Sequence, residues 1–149
     1  MIELAARMEP SIDLALAMYH ARTADTAVSL LTDILWRVPL GVRIDQLGRA
    51  LDDVGLTDAY PFAIPIARKV VEVRNLVAHS VAWTTDDGIV AAGHKRGRPI
   101  ETLIDHDYAL WLAREGLRCE VELDRIAARI GDWRVWASLH GFDDRTPVA

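Results

Sequence analysis

The chain has 149 residues, 51% of them apolar and 26% charged. That length holds one domain with its own core, so residues 1–149 read as a single domain, and that balance excludes a disordered chain. The net charge of −5, from 17 basic and 22 acidic side chains, argues against a general nucleic-acid coating protein. The lone cysteine, Cys119, excludes an intramolecular disulfide framework and a zinc site built on several thiolates.

No apolar run approaches the roughly 18 residues of a membrane span, and the start, Met1 to Arg7, lacks the pattern of a secretory signal. A reducing, cytoplasmic setting is the expectation. The mean charge hides an asymmetry. From Arg68 to Arg98 there are six basic and three acidic residues, net +3. The rest of the chain holds 11 basic and 19 acidic residues, net −8. An anion would bind in that middle third.

In chain order, residues 11–36 read as a long helix with Ser11 as N-cap after Pro10 and with Ile12, Leu16, Tyr19, Thr23, Ala27, Leu30 and Ile34 at helical spacing. A shorter helix over 44–53 carries Ile44, Leu47 and Leu51 and stops at Gly55. A third helix spans 62–79. Beyond it, Val81–Thr84 and Ile89–Ala92 flank Thr85-Asp86-Asp87-Gly88, a hairpin signal. A basic loop follows, Gly93-His94-Lys95-Arg96-Gly97-Arg98-Pro99. Asp105 or Asp107 then opens a helix over 106–130, with Leu110, Leu117, Val121, Leu123, Ile126 and Ile130 apolar and Gly131 as its stop. A last short helix carries Trp133, Trp136 and Leu139. The expected architecture is an all-α bundle with a small inserted β-hairpin.

The third helix carries the chemistry. At 100° per residue from Glu72, the residues Phe62, Ile66, Val70, Val73 and Val77 fall between about +80° and +160°, an apolar stripe for the core. Arg68, Glu72, Asn75 and His79 fall within about 60° of one another on a second side, a line of cation, carboxylate, amide and imidazole. Asn75 and His79, four apart, are in reach of a hydrogen bond. Arg74 lies at the margin of the apolar stripe, about 140° from His79 on an ideal helix. Either the helix ends before His79, or an anion is held between two copies of this surface.

The run Arg74-Asn75-Leu76-Val77-Ala78-His79 resembles the R-x4–6-H signature of HEPN domains, in which the first variable position is often Asn, Asp or His. The resemblance implies a HEPN-like helical bundle that forms a homodimer, with the motifs of both subunits lining a shared cleft. Many active members are metal-independent endoribonucleases of toxin–antitoxin or defence systems, which implies RNA as substrate, no cofactor, no metal, and an antitoxin or regulatory partner protein. Carried onto this chain, Arg74, Asn75 and His79 take the catalytic positions. Members paired with nucleotidyltransferase antitoxins often extend the motif to R-x4-H-x-Y; Val81 stands where that tyrosine would be. Arg134 to His140 fits a looser R-x5-H pattern and reads as accidental.

The residue types suit the chemistry. Metal-free RNA cleavage proceeds by attack of the 2′-hydroxyl on the adjacent phosphorus, leaving a 2′,3′-cyclic phosphate and a 5′-hydroxyl. A histidine titrates where the protons must move. A guanidinium binds two phosphoryl oxygens as their charge grows. An amide holds the phosphate or orients the imidazole. Two copies of Arg74 and His79 would provide both acid and base. Arg68, His94, Lys95, Arg96 and Arg98 are the candidates for guiding the RNA strand.

Each residue also has a plainer reading. His79 suits a helix C-terminus through the helix dipole, Arg74 could pair with Glu72 or another acid, and the 93–99 loop could be a solvated turn. Trp83, Trp111, Trp133 and Trp136 read as core or interface residues, Cys119 as inert, and His20, Glu9 and His106 have no identifiable partner. Metal, nucleotide-loop and nucleophile-elbow motifs are absent from the sequence, although His94 could meet His106 and Asp107 in space. The alternative function is a non-catalytic HEPN-like module that binds RNA, a nucleotide or a partner protein; a third is a purely structural interaction domain.

Overall fold

The computed structural model describes residues 2–21, 23–95 and 97–140, and of residue 95 and residues 133–140 the backbone only. The chain is mostly helical with one small antiparallel sheet. Its elements are α1 (Ile2–His20), α2 (Ala24–Ser29), α3 (Leu40–Asp53), α4 (Ala63–Ala78), β1 (Val81–Thr85), β2 (Gly88–Lys95), β3 (Arg98–Asp105) and α5 (His106–His140). Short π and 3-10 turns over Leu30–Ile34 and Leu35–Arg37 join α2 to α3, and a 3-10 turn over Thr57–Ala59 precedes α4.

One core runs through α1, α3, α4 and α5. On α1 it takes Met8, Ile12 and Leu16, on α3 Ile44, Leu47 and Leu51, and on α4 Ile66, Val70 and Val73. The inward residues of α5 are Leu112, Gly116, Cys119, Leu123, Ile126 and Ile130, alternating steps of four and three that keep one narrow face turned to the bundle. Gly116 lets α5 approach closely: a Cβ there would lie 2.3 Å from Leu4 Cδ2 and 3.2 Å from Val70 Cγ2. Ser11 adds a polar tie between α1 and α5, its Oγ donating to Asp124 Oδ1 at 2.5 Å.

Several sequence expectations need correction. The long helix over 11–36 is two helices. Thr23 is not an inward position but the N-cap of α2, extended at φ −137°, ψ 160°, with its side chain accepting from the Thr26 N–H. Ser11 is not a cap either, because α1 begins nine residues earlier and carries Pro10 inside it. Pro10 is exposed, as is Ala6, so the carbonyl that the proline leaves without a donor lies on the solvent side. Gly131 does not stop α5, which runs on through His140 and absorbs the separate last helix. The side chains of Trp133, Arg134, Trp136, Leu139 and His140 lie outside the described residues.

Two apolar stripes are also displaced. Phe62 is the exposed N-cap of α4 rather than a core residue. On α5, Leu110, Leu117 and Val121 are exposed while Leu123, Ile126 and Ile130 are buried. Spacings of seven and four place those three on one outward stripe of the helix.

The expected two-stranded hairpin has a third strand, in the order β1-β2-β3. The 93–99 segment is therefore strand on both sides of a tight turn, with Lys95 opposite Arg98 and Gly97 at φ +76°. Gly88 opens β2 at φ +148°, and a Cβ there would lie 2.2 Å from the Ile104 carbonyl oxygen, so only glycine fits. One face of the sheet turns Ile89, Ala91 and Ile104 to the bundle. At the strand-to-helix junction Asp105 Oδ1 accepts the Tyr108 N–H at 2.7 Å, capping α5.

Buried ion pairing joins α1 to α3. Arg43 is 4% exposed. Its Nη1 donates to both oxygens of Asp13 at 2.6 and 2.7 Å and its Nη2 to Glu9 Oε2 at 3.1 Å. Glu9 thus has a partner that the sequence did not reveal. So does His20, whose ring meets Tyr19 edge-on at 4.8 Å.

Candidate functional site

The α4 helix ends at Ala78, and His79 is its C-cap at φ −111°, ψ 11°. The helix stops one residue before the imidazole, and among the described residues no hydrogen bond and no shared pocket joins the Arg74 and His79 side chains. The His79 N–H still bonds back to the Asn75 carbonyl oxygen at 3.0 Å. Asn75 also receives Arg74, whose Nη1 donates to Asn75 Oδ1 at 2.8 Å. Asn75 therefore holds the guanidinium through its side chain and the backbone of His79 through its main chain. Arg74 is half-buried, Asn75 and His79 exposed. Arg74 bonds to its neighbouring amide, in place of the Glu72 ion pair open to it in the sequence.

His79 opens onto a concave surface of about 950 Å³ where the end of α4 meets the sheet. The pocket is lined by Ala78, His79 and Ser80 from the α4–β1 junction, Val81 and Trp83 from β1, Ala92 to His94 from β2, and Pro99 to Glu101 from β3. Two imidazoles, His79 and His94, thus share one concavity. Arg74 and Asn75 are not among its lining residues.

Strand register explains the shape. Directly opposed residues of an antiparallel pair share a face. Trp83 pairs with Val90 and Val90 with Leu103; Val81 pairs with Ala92 and Ala92 with Glu101; His94 pairs with Pro99. All of these lie on the outer face, opposite the one that covers the bundle. Ala92, in the central strand, gives that face a low floor between taller neighbours. Trp83 is 44% exposed there, so of the core and interface positions expected for it, it does not take the core one. Trp111 is half-buried, stacked on Tyr108 at 5.7 Å with Lys69 Nζ 5.5 Å from its ring centroid.

The remaining candidate strand-guiding residues are dispersed. Arg68 lies elsewhere, its guanidinium on Asp45 at 2.7 Å. Both line a second concavity of about 470 Å³ between α3 and α4. Arg98 is exposed at the start of β3. Lys95 is the last residue of β2. Arg96 lies outside the described residues. Ser80, Trp83, Ala92 and Glu101 were not picked out by sequence reasoning; the alternation in Val81-Ala82-Trp83-Thr84 was the signal that Val81 and Trp83 share one face.

Among the described residues, no group of three or more His, Cys, Asp or Glu side chains is placed to hold a metal ion, and no helix is long and apolar enough to cross a membrane. Among the described residues, the surroundings of Asp13 and Cys119, both outside the pocket lining, shift their proton affinity. Burial pushes the Asp13 carboxyl above its usual range despite the opposing hydrogen bond and charge of Arg43. Burial, with Glu122 nearby, pushes the Cys119 thiol up to about 12; its Sγ donates to the Ala63 carbonyl oxygen at 3.2 Å. Comparison with family models, curated proteins and solved structures gave no match to this chain.

Proposed function

We propose that this chain is a metal-independent endoribonuclease of HEPN type, acting as a homodimer in a toxin or defence setting. The observation that carries the reading is the placement of His79. It is an exposed C-cap imidazole, one helical turn beyond an Arg74–Asn75 hydrogen bond, in the lining of a pocket that His94 also lines.

In this reading the His79 imidazole accepts the proton of the RNA 2′-hydroxyl as that oxygen attacks phosphorus. The bond from phosphorus to the 5′-oxygen breaks, and a second imidazole protonates the leaving oxygen. The second copy of His79 supplies that proton across the dimer axis. Arg74, kept in orientation by Asn75, meets the charge that grows on the phosphoryl oxygens. The outward stripe of Leu110, Leu117 and Val121 on α5 supports association, since a lone chain leaves these side chains in water. An antitoxin or other regulatory protein would be the partner that holds such an enzyme in check.

The second reading is a non-catalytic HEPN-like module that binds RNA, a nucleotide or a partner protein. It draws on the absence of Arg74 from the lining of the His79 pocket. Purified protein incubated with structured and unstructured RNA in EDTA, beside His79→Ala, separates the two. Cutting that the variant loses supports the enzyme. Binding without cutting supports the module.

A further inference from the structure

The side chains of α5 that face away from the bundle are ordered by chemistry. At 100° per residue from Leu117, the residues Leu110, Leu117, Val121 and Ala128 fall within about 40° of one another, a spine on the far side from the buried face. All four are exposed. Over residues 110–129, one flank of this spine carries Glu120 and Asp124, at about −60° and −20°. The other carries Arg114, Arg125, Arg118 and Arg129, between about +60° and +120°. Arg114 and Arg118 reach Glu115 at 3.3 and 3.0 Å, and Glu120 accepts Arg7 of α1 at 3.0 Å. Arg125 and Arg129 have no ion-pair partner among the described residues.

Flanks of opposite sign make the face complementary to itself in one direction only. Two copies packed spine to spine with their helices antiparallel about a two-fold would set acid against acid and arginine against arginine. With the helices parallel, each acidic flank lies against the arginines of the other copy.

We infer that α5 is the two-fold contact of the homodimer, packed parallel against α5 of a second copy through Leu110, Leu117, Val121 and Ala128. The inference rests on the homodimer of the reading above and names its surface and its direction. In heptad terms Leu117 and Val121 stand at d and a, Glu120 at the g between them and Arg125 at the e that follows. Positions g and e meet across a parallel pair, so Glu120 faces the second copy's Arg125, a cation without a partner in its own chain. The direction bears on the site. Strand β3 runs straight into the first turn of α5, so parallel α5 helices carry both sheets, and with them both His79 pockets, to the same end of the dimer. Antiparallel helices would carry them to opposite ends.

The test is sedimentation velocity of the natural chain and its variants, with cysteine cross-linking in a Cys119→Ser background that leaves no other thiol. The natural chain should sediment as a dimer. Leu117→Lys, at an exposed position of the lone chain, should sediment as a monomer with unchanged helicity by circular dichroism. Arg125→Glu should weaken the dimer about tenfold, and Glu120→Lys combined with Arg125→Glu should restore it to within about threefold of the natural chain. With a short bismaleimide, Leu110→Cys and Ala128→Cys should each cross-link to a second copy of the same variant. Phe62→Cys, exposed at the start of α4, should not.

A monomeric natural chain, or a dimer that Leu117→Lys leaves intact, would overturn the inference. So would loss of the dimer in Trp83→Lys alone, since the contact would then be the sheet. Cross-linking only in a mixture of Leu110→Cys with Ala128→Cys would overturn the parallel direction. If Leu117→Lys is a monomer yet cuts RNA at the natural rate, the surface stands and the shared cleft fails. If it stays a dimer and cutting still depends on His79, the surface fails and the cleavage reading stands.

Discussion

Arg74 Nη1 donates to Asn75 Oδ1 at 2.8 Å, and the Asn75 carbonyl oxygen accepts the His79 N–H at 3.0 Å. One amide-bearing residue therefore meets both the cation of the motif, through its side chain, and the backbone of the histidine, through its main chain. Orientation of the guanidinium is what Asn75→Ala removes, and charge is what it leaves. Cleavage should fall about 10²-fold in that variant, with helicity by circular dichroism unchanged. Arg74→Lys should fall similarly, because an ammonium keeps the charge without the planar fork. Activity of Asn75→Ala within a factor of two of the natural chain would separate the amide from catalysis.

His94 shares the pocket with His79 but stands on β2, away from the motif. Its expected role is to hold the RNA strand. His94→Ala should raise KM several-fold with kcat little changed, read from initial rates across RNA concentration. A kcat loss as large as that of His79→Ala would instead make His94 the second proton carrier within one chain.

Close helix packing at Gly116 has a direct cost when violated. Gly116→Val puts a branched side chain where even a Cβ meets Leu4 Cδ2 at 2.3 Å and Val70 Cγ2 at 3.2 Å. The Leu4 tip is flexible enough to yield to alanine, but α5 must shift for valine. Urea unfolding should show a loss of about 1–3 kcal/mol for valine and a smaller loss for alanine.

The buried pairing of Arg43 with Asp13 and Glu9 ties α1 to α3. Removing the cation in Arg43→Met leaves two part-exposed carboxylates facing each other, and should cost less than the about 3–5 kcal/mol of a fully buried pair. Asp13 also sets a sign for pH dependence. Its folded pKa lies above the ordinary carboxyl value, chiefly through burial, so the folded state binds the proton more tightly than the unfolded chain. Stability from this group therefore rises as pH falls through the folded pKa towards 3.8, and is lost above it. Urea midpoints across that acid range should show the natural chain gaining on Asp13→Asn as pH is lowered.

Cys119 offers a probe of global opening. With its thiol pushed up to about 12 and its side chain buried, it should resist iodoacetamide at neutral pH in the folded chain. Labelling should follow the unfolding transition in urea. Rapid labelling without denaturant would mean that α5 opens locally.

Much of the helical framework was legible because it rests on local periodicity. The stripes of Ile44, Leu47 and Leu51 and of Ile66, Val70 and Val73 are where the spacing puts them, and of the two aspartates that could open the last helix, Asp105 caps it. Tertiary context decided the rest. Thr23 occupies an apolar-period position, yet its hydroxyl serves the backbone better as a cap, and the long helix divides there. Arg98 to Asp105 carries proline and three charged residues and has weak strand character; only pairing with β2 makes it a strand. Within the candidate site, Arg74, Asn75 and His79 were readable as a motif, but the surroundings of His79 were not. Trp83, Ala92 and Glu101 come together through sheet register across three strands, a relation that no single window of sequence contains.

The most direct measurement is the chemistry of the RNA ends formed in EDTA by the natural chain and by His79→Ala, resolved by phosphatase and kinase treatment of the fragments. The expected result is 2′,3′-cyclic phosphate and 5′-hydroxyl ends from the natural chain and intact RNA with the variant, at equal folded stability. Fragments with 5′-phosphate ends, or the same cyclic-phosphate ends at the same rate from His79→Ala, would contradict it.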